Sequence, residues 1–397
     1  MLRHQSNSEN PELLPAFLTS IAVLFLRLGL TAFGGPAAHI AMMQDEVVQR
    51  RKWLTKEEFL DLLGACNLIP GPSSTELAIH IGFRLARWRG LVLAGICFIL
   101  PAFLMVMGIA WAYVRFGHLP QAAGLLSGVK PVVIAVILQA LVGLGRTALK
   151  NRYLMAVGVL TAIAAFLHVV PLLILVSGGG LAVGRACAAG NQTRTPGTLL
   201  LLIGLIAALV AFTLVLSHYS VPSHAVSTGA LFWVFLKLGS VVYGSGYVLL
   251  AFIRTDLVMR LHWLTSAQIV DAVAVGQVTP GPVFTTATFI GFVLGGPMGA
   301  TIATLGIFLP AFVFVAISGR LVTSVRRSPI ARAFLDGVNA ASLALMAAVT
   351  WDLGRAAMVD WISGTLALIS AFLLLRFRVN SLWLILGGAI VGIAAFR

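Results

Sequence analysis

Long apolar stretches without a charge recur along the whole chain, as in 91–114 (LVLAGICFILPAFLMVMGIAWAYV) and 199–217 (LLLLIGLIAALVAFTLVLS). A helix needs roughly 20 mostly apolar residues to cross a bilayer, so these runs predict spanning helices. Others fall at 124–145, 153–168 and 171–187, the last two parted at Val170-Pro171, and at 300–319, 333–351, 357–375 and 379–396. Four more, 13–33, 59–83, 229–247 and 267–292, are interrupted by glycine or proline and either cross fully or dip in and return. If all four cross, at ~20 residues each, the crossings number about 13, with the N-terminus inside and the C-terminus outside. The basic stretch 44–58, with Arg50, Arg51, Lys52 and Lys56, sits comfortably inside and favours re-entry. The start, MLRHQSNSENPELLP, is polar and lacks a cleavage site, so no cleaved signal peptide is predicted.

Composition narrows the class. The 397 residues are 59% hydrophobic and only 10% charged, against roughly 25% charged in a soluble domain. A water-surrounded globule is excluded. Lys and Arg number 27 against 13 Asp and Glu, a net +14. Cytoplasmic loops rich in Lys and Arg account for that excess, so the expected partner is the lipid bilayer and no nucleic acid. Cys66, Cys97 and Cys187 lie too far apart to suggest a metal site or a disulfide framework. No cofactor is expected.

The chain repeats itself. At an offset of 210 residues, FLRLG (25–29) falls on FLKLG (235–239), Trp53-Leu54-Thr55 on Trp263-Leu264-Thr265, Asp61 on Asp271, and Pro70-Gly71-Pro72 on Pro280-Gly281-Pro282. Positions 25–72 contain 15 identities in 48 pairs. After one missing residue the match resumes at 209, with Ile81-Gly82-Phe83 on Ile290-Gly291-Phe292 and Leu100-Pro101-Ala102-Phe103 on Leu309-Pro310-Ala311-Phe312. Shared membrane composition would not keep PGP and WLT in register. Charge then alternates between equivalent loops. Arg84, Arg87 and Arg89 face the neutral 293–299, the neutral 116–123 faces Arg320, Arg326, Arg327 and Arg332, and Arg146, Lys150 and Arg152 face a segment with one arginine and two aspartates. The positive-inside rule then predicts two copies of inverted topology. One extra helix at 199–217, between copies of even crossing number, is what inversion requires. The expected fold is therefore an all-α polytopic membrane protein. It divides into a cytoplasmic tail (1–12), a first copy (13–190), a linker with the extra helix (191–222) and a second copy (223–397). Inverted repeats are a common plan for secondary transporters, with the site near the midplane.

Irregular backbone at membrane depth is tolerated only where protein buries it or a watery cavity lies beside it. Each copy has two such breaks: FGGPAAH (33–39) matched by YGSGYVL (243–249), and NLIPGPSSTE (67–76) matched by QVTPGPVFTT (277–286). A proline at a helix start wastes no donor. Ser73, Ser74 and Thr75 then present hydroxyls and free N–H groups at the positive end of a half-helix, which suits an anion. The competing reading is a plain kink whose hydroxyls bond the preceding turn. The substrate-binding candidates are Gly34, Gly35, Asn67, Gly71, Ser73, Ser74, Thr75, Gln277, Thr279, Gly281 and Thr285. Arg27 and Lys237 share one repeat position inside apolar runs, where a cation is costly and tends to be functional; both join the list as attractors of an anion. Glu76, whose partner is Thr286, is a candidate proton carrier or a salt-bridge partner of Arg27 or Lys237. His39 is a weaker proton-coupling candidate beside a structural role. His80 and His168 are weaker still, and Asp61 and Asp271 read as architecture. No HExxH, CxxC, GxSxG or GxxxxGK[ST] is present, so an enzyme is not expected.

FLRLGLTAFGGPAAHI (25–40), WLTKEEFLDLLGACNLIPGPSSTELAIHIGF (53–83) and the second copy's FLKLGSVVYGSG and QVTPGP resemble the chromate ion transporter (CHR) family, in its long two-copy bacterial form. The resemblance runs over nearly all of the chain after residue 13. It implies export of chromate, with sulfate as the look-alike dianion, driven by the proton motive force across the cytoplasmic membrane, and chromate resistance. Short members resemble one copy and are thought to act as antiparallel pairs; a homodimer of this chain stays open. The family motif is matched by Phe33, Gly34, Gly35, Pro36, Asn67, Pro70, Gly71, Pro72, Ser73, Thr75 and Glu76. The second copy departs at Gly246 and Thr286, so the half-sites are not expected to be equivalent. A same-fold carrier of another oxyanion such as sulfate, and an anion channel, are the alternatives.

Overall fold

The computed structural model describes residues 14–188 and 226–395, apart from 34, 118, 244, 245, 327 and 378. The expected tail 1–12 and the extra helix at 199–217 lie outside the described residues. What is described is helical throughout. The first copy runs α1 (Leu14–Thr31), α2 (Gly35–Gln44) with a π-helical turn Asp45–Arg50, α3 (Lys56–Cys66), α4 (Ser73–Phe116), α5 (Pro120–Ala148), α6 (Arg152–Phe166) and α7 (Pro171–Ala188). The second runs α8 (Thr228–Val241), a short α9 (Leu249–Ile253) with a π-helical turn Arg254–Arg260, α10 (Ser266–Val278), α11 (Thr286–Arg326), α12 (Pro329–Ala357), α13 (Trp361–Phe372) and α14 (Ser381–Ala395). Five helical stretches among these residues, at 73–116, 121–148, 171–188, 283–317 and 329–357, are long and apolar enough to cross a membrane. Large apolar side chains such as Leu104, Leu160, Ile317 and Leu368 stand exposed on the outer faces, as a lipid-facing surface requires. This is a multi-pass membrane protein.

The interrupted segments fold back on themselves. Arg27 on α1 bonds Glu46 at 2.7 Å, and the Phe17 and Trp53 rings lie 5.5 Å apart. In one continuous helix residues 27 and 46 would stand about 28 Å apart, at ~1.5 Å per residue. The chain therefore turns at the FGGP break and returns. Lys237 and Asp256, at 2.9 Å, close the equivalent hairpin. Glu58 near the start of α3 meets Arg84 at 2.9 Å, so α3 goes in, turns at PGP and returns as residues 73–85. Gly276 against Thr286 places the same turn in the second copy. Of the two options the sequence left open, the chain takes the hairpin. Each PGP hairpin begins with a capping box, at Thr55 with Glu58 and at Thr265 with Gln268, which pairs two otherwise orphaned donors and typically contributes ~1 kcal/mol.

A sharp turn follows each returning arm. Helical geometry breaks at Ala86 and Arg87 in α4 and at Gly295 and Gly296 in α11. Arg87 takes a left-handed φ of 50° where its counterpart Gly296 has 62° without a side-chain penalty. Past the turn the two arms touch through glycines. A Cβ on Gly82 would strike the Gly90 carbonyl, and one on Gly291 the Gly299 carbonyl, the close approach that small residues permit between membrane helices.

The copies interlock. Gly128 of α5 lies against Gly388 of α14, and Gly337 of α12 against Gly178 of α7. Each copy's last helix thus packs on the other copy. At the centre, Gly145 of α5 faces Leu343 of α12, Gly354 of α12 faces Ile134 of α5, and Lys150 pairs with Asp336 at 2.7 Å.

Candidate functional site

The four hairpin tips meet, and backbone bonds hold them there. Gly71 N–H donates to the Val242 carbonyl at 2.8 Å, and Gly281 N–H donates to the Ala32 carbonyl at 3.0 Å. These two bonds are the same bond in the two copies, since position 32 falls on 242 and 71 on 281. Each PGP tip is tied to the first break of the other copy. Gly71 and Gly281 have φ of 140° and 95°, and a Cβ on Gly71 would strike the Glu76 carboxyl. The Tyr243 hydroxyl adds a bond of 2.5 Å to the Leu68 carbonyl.

Beside the tips lies a cavity of about 1710 Å³. Its deep wall is built from Gly35, Asn67, Ser73 and Ser74 of the first copy, and from Tyr247 and Gln277 of the second. Helix 73–85 points its first turn at this space, where the leading N–H groups of any helix lack intrahelical acceptors. The Ser73 and Ser74 hydroxyls bond no described residue. Thr75 is fully buried with its hydroxyl unpaired, and the Gln277 amide nitrogen is likewise buried and unpaired. The Gln277 carbonyl oxygen accepts from Tyr247 at 3.2 Å. A buried donor without an acceptor costs about 1–3 kcal/mol, so the unpaired donors at this wall suit an oxyanion.

The expected site residues divide into three sets. Gly35, Asn67, Ser73, Ser74 and Gln277 line the cavity, while Thr75 lies buried behind them. Gly71 and Gly281 act as the backbone ties between copies, off the wall. Thr279 and Thr285 also lie off it, and their hydroxyls bond back to the Val275 and Pro282 carbonyls at 2.9 and 2.8 Å. There the kink reading, with self-bonded hydroxyls, describes the second copy. Gly34 falls outside the described residues.

The charged candidates are arranged differently from the expectation. Arg27 and Lys237 are off the cavity wall, each held by an acid nineteen positions on: Glu46 at 2.7 Å and Asp256 at 2.9 Å. Glu46 and Asp256 occupy one repeat position, a signal present in the register that reasoning on single helices passes over. Glu76 pairs with neither cation. It is completely buried, both carboxyl oxygens lack a hydrogen-bond partner, and it rests against Gly71. His39 bonds the Ala32 carbonyl at 3.0 Å and packs edge-on against Phe98, while its Nδ1 is buried without a partner. His80, by contrast, lines the cavity with its Nε2 unpaired. The outer wall brings residues that no motif flagged: Gln139, Asn339 and Ser342, with Lys150, Arg332 and Asp336 toward the mouth.

Fold and site together define a membrane transport protein: a duplicated helical protein whose broken hairpins meet beside a large cavity. The comparisons with known proteins agree. The sequence profile of the chromate transporter family matches residues 19–184 and again 229–393, and the chain belongs to that family. It is similar to the chromate transport protein of Cupriavidus metallidurans, 32% identical over 391 residues, 96% of this chain and 93% of that one. The chromate transport protein of Pseudomonas aeruginosa is 35% identical over 335 residues, covering 83% and 80% of the two chains. A probable chromate transport protein of Synechococcus elongatus is 30% identical over 364 residues, covering 90% and 91%. No solved structure matches.

Proposed function

We propose that this chain exports chromate across the bacterial cytoplasmic membrane, driven by the proton motive force, and thereby confers chromate resistance. The observation that carries the reading is the one-sided cavity. At its deep end a half-helix start and the Ser73 and Ser74 hydroxyls offer hydrogen bonds to a tetrahedral oxyanion. At its mouth stand Lys150 and Arg332, beside the sequence segments richest in arginine. The positive-inside rule assigns that mouth to the cytoplasm, the side from which an exporter loads.

The inverted arrangement of the copies belongs to the same proposal. It is supported by the antiparallel course of α5 and α12, equivalent helices whose contacts run 134 with 354, 145 with 343 and 150 with 336. Single cysteines at Trp88 and Pro297 are then labelled from opposite sides. Glu76 is the proton carrier of the reading, being buried, unpaired and set against the tie at Gly71. Arg27 and Lys237 drop out of the ligand set because acids already hold them. The described cavity wall draws on both copies of one chain, so the reading calls for no second chain.

Uptake of radiolabelled chromate and sulfate into everted vesicles, with and without an uncoupler, tests the whole. Saturable chromate accumulation that the uncoupler abolishes is expected. Uptake that never exceeds equilibrium would make the protein a channel, and accumulation of sulfate alone would overturn the substrate.

A further inference from the structure

The cavity opens on one side of the tips, and the repeat identifies what should open on the other. Val136, Gln139, Ala140 and Gly143 on α5 line the large cavity. Their counterparts 209 positions on are Leu345, Ala348, Val349 and Asp352 of α12. All four line a separate cavity of only about 250 Å³, bounded also by His168, Arg254 and Arg260. Between that remnant and the tips the counterparts of open wall are packed shut. Ala272 and Ala274, which match Leu62 and Gly64 on the open wall, are buried in the main apolar core with Val133 and Ile137.

Besides the Arg254–Asp352 pair at 3.0 Å in the small cavity, a buried ionic cluster sits in that closed half. Asp271 of α10, 3% exposed, pairs with Lys130 of α5 at 3.1 Å and accepts from the Tyr113 hydroxyl of α4 at 3.0 Å. It joins the second copy to the first. Asp61 and Asn339 occupy the equivalent positions, and both line the open cavity. Asn339 replaces the lysine, and Val322 falls where Tyr113 stands. The acid is thus present in both halves, whereas the lysine and tyrosine that hold Asp271 have Asn339 and Val322 as their counterparts.

We infer that Lys130, Asp271 and Tyr113 form the outer gate of the transport path, and that the small cavity at Arg254 is the closed outer vestibule. The inference rests on the carrier reading above. When the gate parts, Val349 comes to line a passage as Ala140 does now, and the inner cavity closes. Arg254, paired with Asp352 at 3.0 Å, and Arg260, 3.7 Å from Asp256, border that vestibule.

The test uses the full chain with Cys66, Cys97 and Cys187 replaced by serine. Val349→Cys is probed in intact cells with a membrane-impermeant maleimide, and Ala140→Cys in inside-out vesicles. With the gate intact Val349→Cys reacts slowly. Lys130→Met should speed it roughly tenfold and slow Ala140→Cys in step, because a weakened latch shifts the two-state population. Tyr113→Phe keeps the ring and removes one hydrogen bond, so it reports even where Lys130→Met fails to reach the membrane; roughly a twofold rise is expected. The exchange of Lys130→Asp with Asp271→Lys should return the rate toward that of the parent. Unchanged Val349→Cys labelling in the gate variants overturns the gate. Failure to label Ala140→Cys in the parent overturns instead the inward-open carrier reading on which the gate rests.

Discussion

The two PGP hairpins share a backbone and differ in chemistry. Both turn on a glycine with positive φ, both start from a capping box, and both donate from that glycine to the other copy's first break. On the first, Ser73 and Ser74 face the cavity with their hydroxyls open and Glu76 is buried without a partner. On the second, Val283 and Phe284 stand in place of the serines, and Thr286, in place of Glu76, bonds its hydroxyl to the Val283 carbonyl at 2.8 Å. Duplication supplied two struts of like backbone, and the open hydroxyls and the buried acid stand on one of them. The proposed function accordingly assigns substrate and proton handling to the first copy.

The largest expected effect strikes what the copies share. Gly71→Ala and Gly281→Ala each impose a left-handed residue, costing about 1–2 kcal/mol, and an overpacked contact, costing about 1–3 kcal/mol. The added Cβ meets the Glu76 carboxyl in one case and the Ala102 Cβ in the other. Both variants should lose membrane-inserted protein to a similar degree by fluorescence-detected size exclusion. Strong loss in one and none in the other would break the symmetry of the ties.

The next effect should fall on one copy alone. Glu76→Gln should abolish uphill chromate accumulation in energised everted vesicles while sparing exchange down a gradient, since the amide mimics a permanently protonated acid. Thr286→Val at the equivalent position should leave accumulation within roughly twofold, because its hydroxyl serves only a local carbonyl bond. Equal losses would place coupling in both halves.

The register of the repeat made much of this readable from sequence. It located all four breaks, the paired glycines and the inequivalence of Glu76 and Thr286. The family motif added Asn67, and the structure places it on the wall. What stayed hidden was whatever depends on the hairpin turn or on distant helices. Gln139 and Asn339 reach the cavity from elements whose packing no local pattern encodes, and His80, ranked low from sequence, reaches it from the returning arm of the first PGP hairpin. The threonines at 279 and 285 read as donors, because a sequence does not reveal that a hydroxyl has bonded back to its own turn. Glu46 was passed over because residue 46 is remote from residue 27 along any straight helix.

A smaller effect sharpens the contrast at the anion itself. Ser73→Ala with Ser74→Ala removes two hydroxyls from the cavity wall, each worth about 0.5–1.5 kcal/mol in a neutral hydrogen bond. The half-saturating chromate concentration should rise roughly tenfold, with normal protein levels. Thr279→Val with Thr285→Val should move it less than about twofold, since neither hydroxyl faces the cavity. An equal rise from the second pair would mean that both half-helix starts hold the anion.

The smallest effect on transport is expected at Arg27 and Lys237, and there the copies should differ in stability. If either cation attracted substrate from its place off the wall, neutralising it would raise the half-saturating concentration; with the acids Glu46 and Asp256 in the way, Arg27→Gln and Lys237→Met should leave it within roughly twofold. Folding should respond unequally. Glu46 is also approached by Arg50 at 3.5 Å and Arg51 at 3.4 Å, so losing Arg27, half of whose side chain is exposed, leaves the acid compensated. A loss of about 0–1 kcal/mol suits such an exposed partner. Among the described residues Asp256 keeps only Arg260, at 3.7 Å, once Lys237 is gone, and Lys237 and Asp256 are both largely buried. Breaking a buried pair from one side costs about 3–5 kcal/mol, somewhat less here because Arg260 remains. Thermal denaturation in detergent should therefore show a clear drop in Tm for Lys237→Met and little for Arg27→Gln. A raised half-saturating concentration at unchanged Tm in either variant would return that cation to the substrate path and reverse the division between shared scaffold and one-sided chemistry.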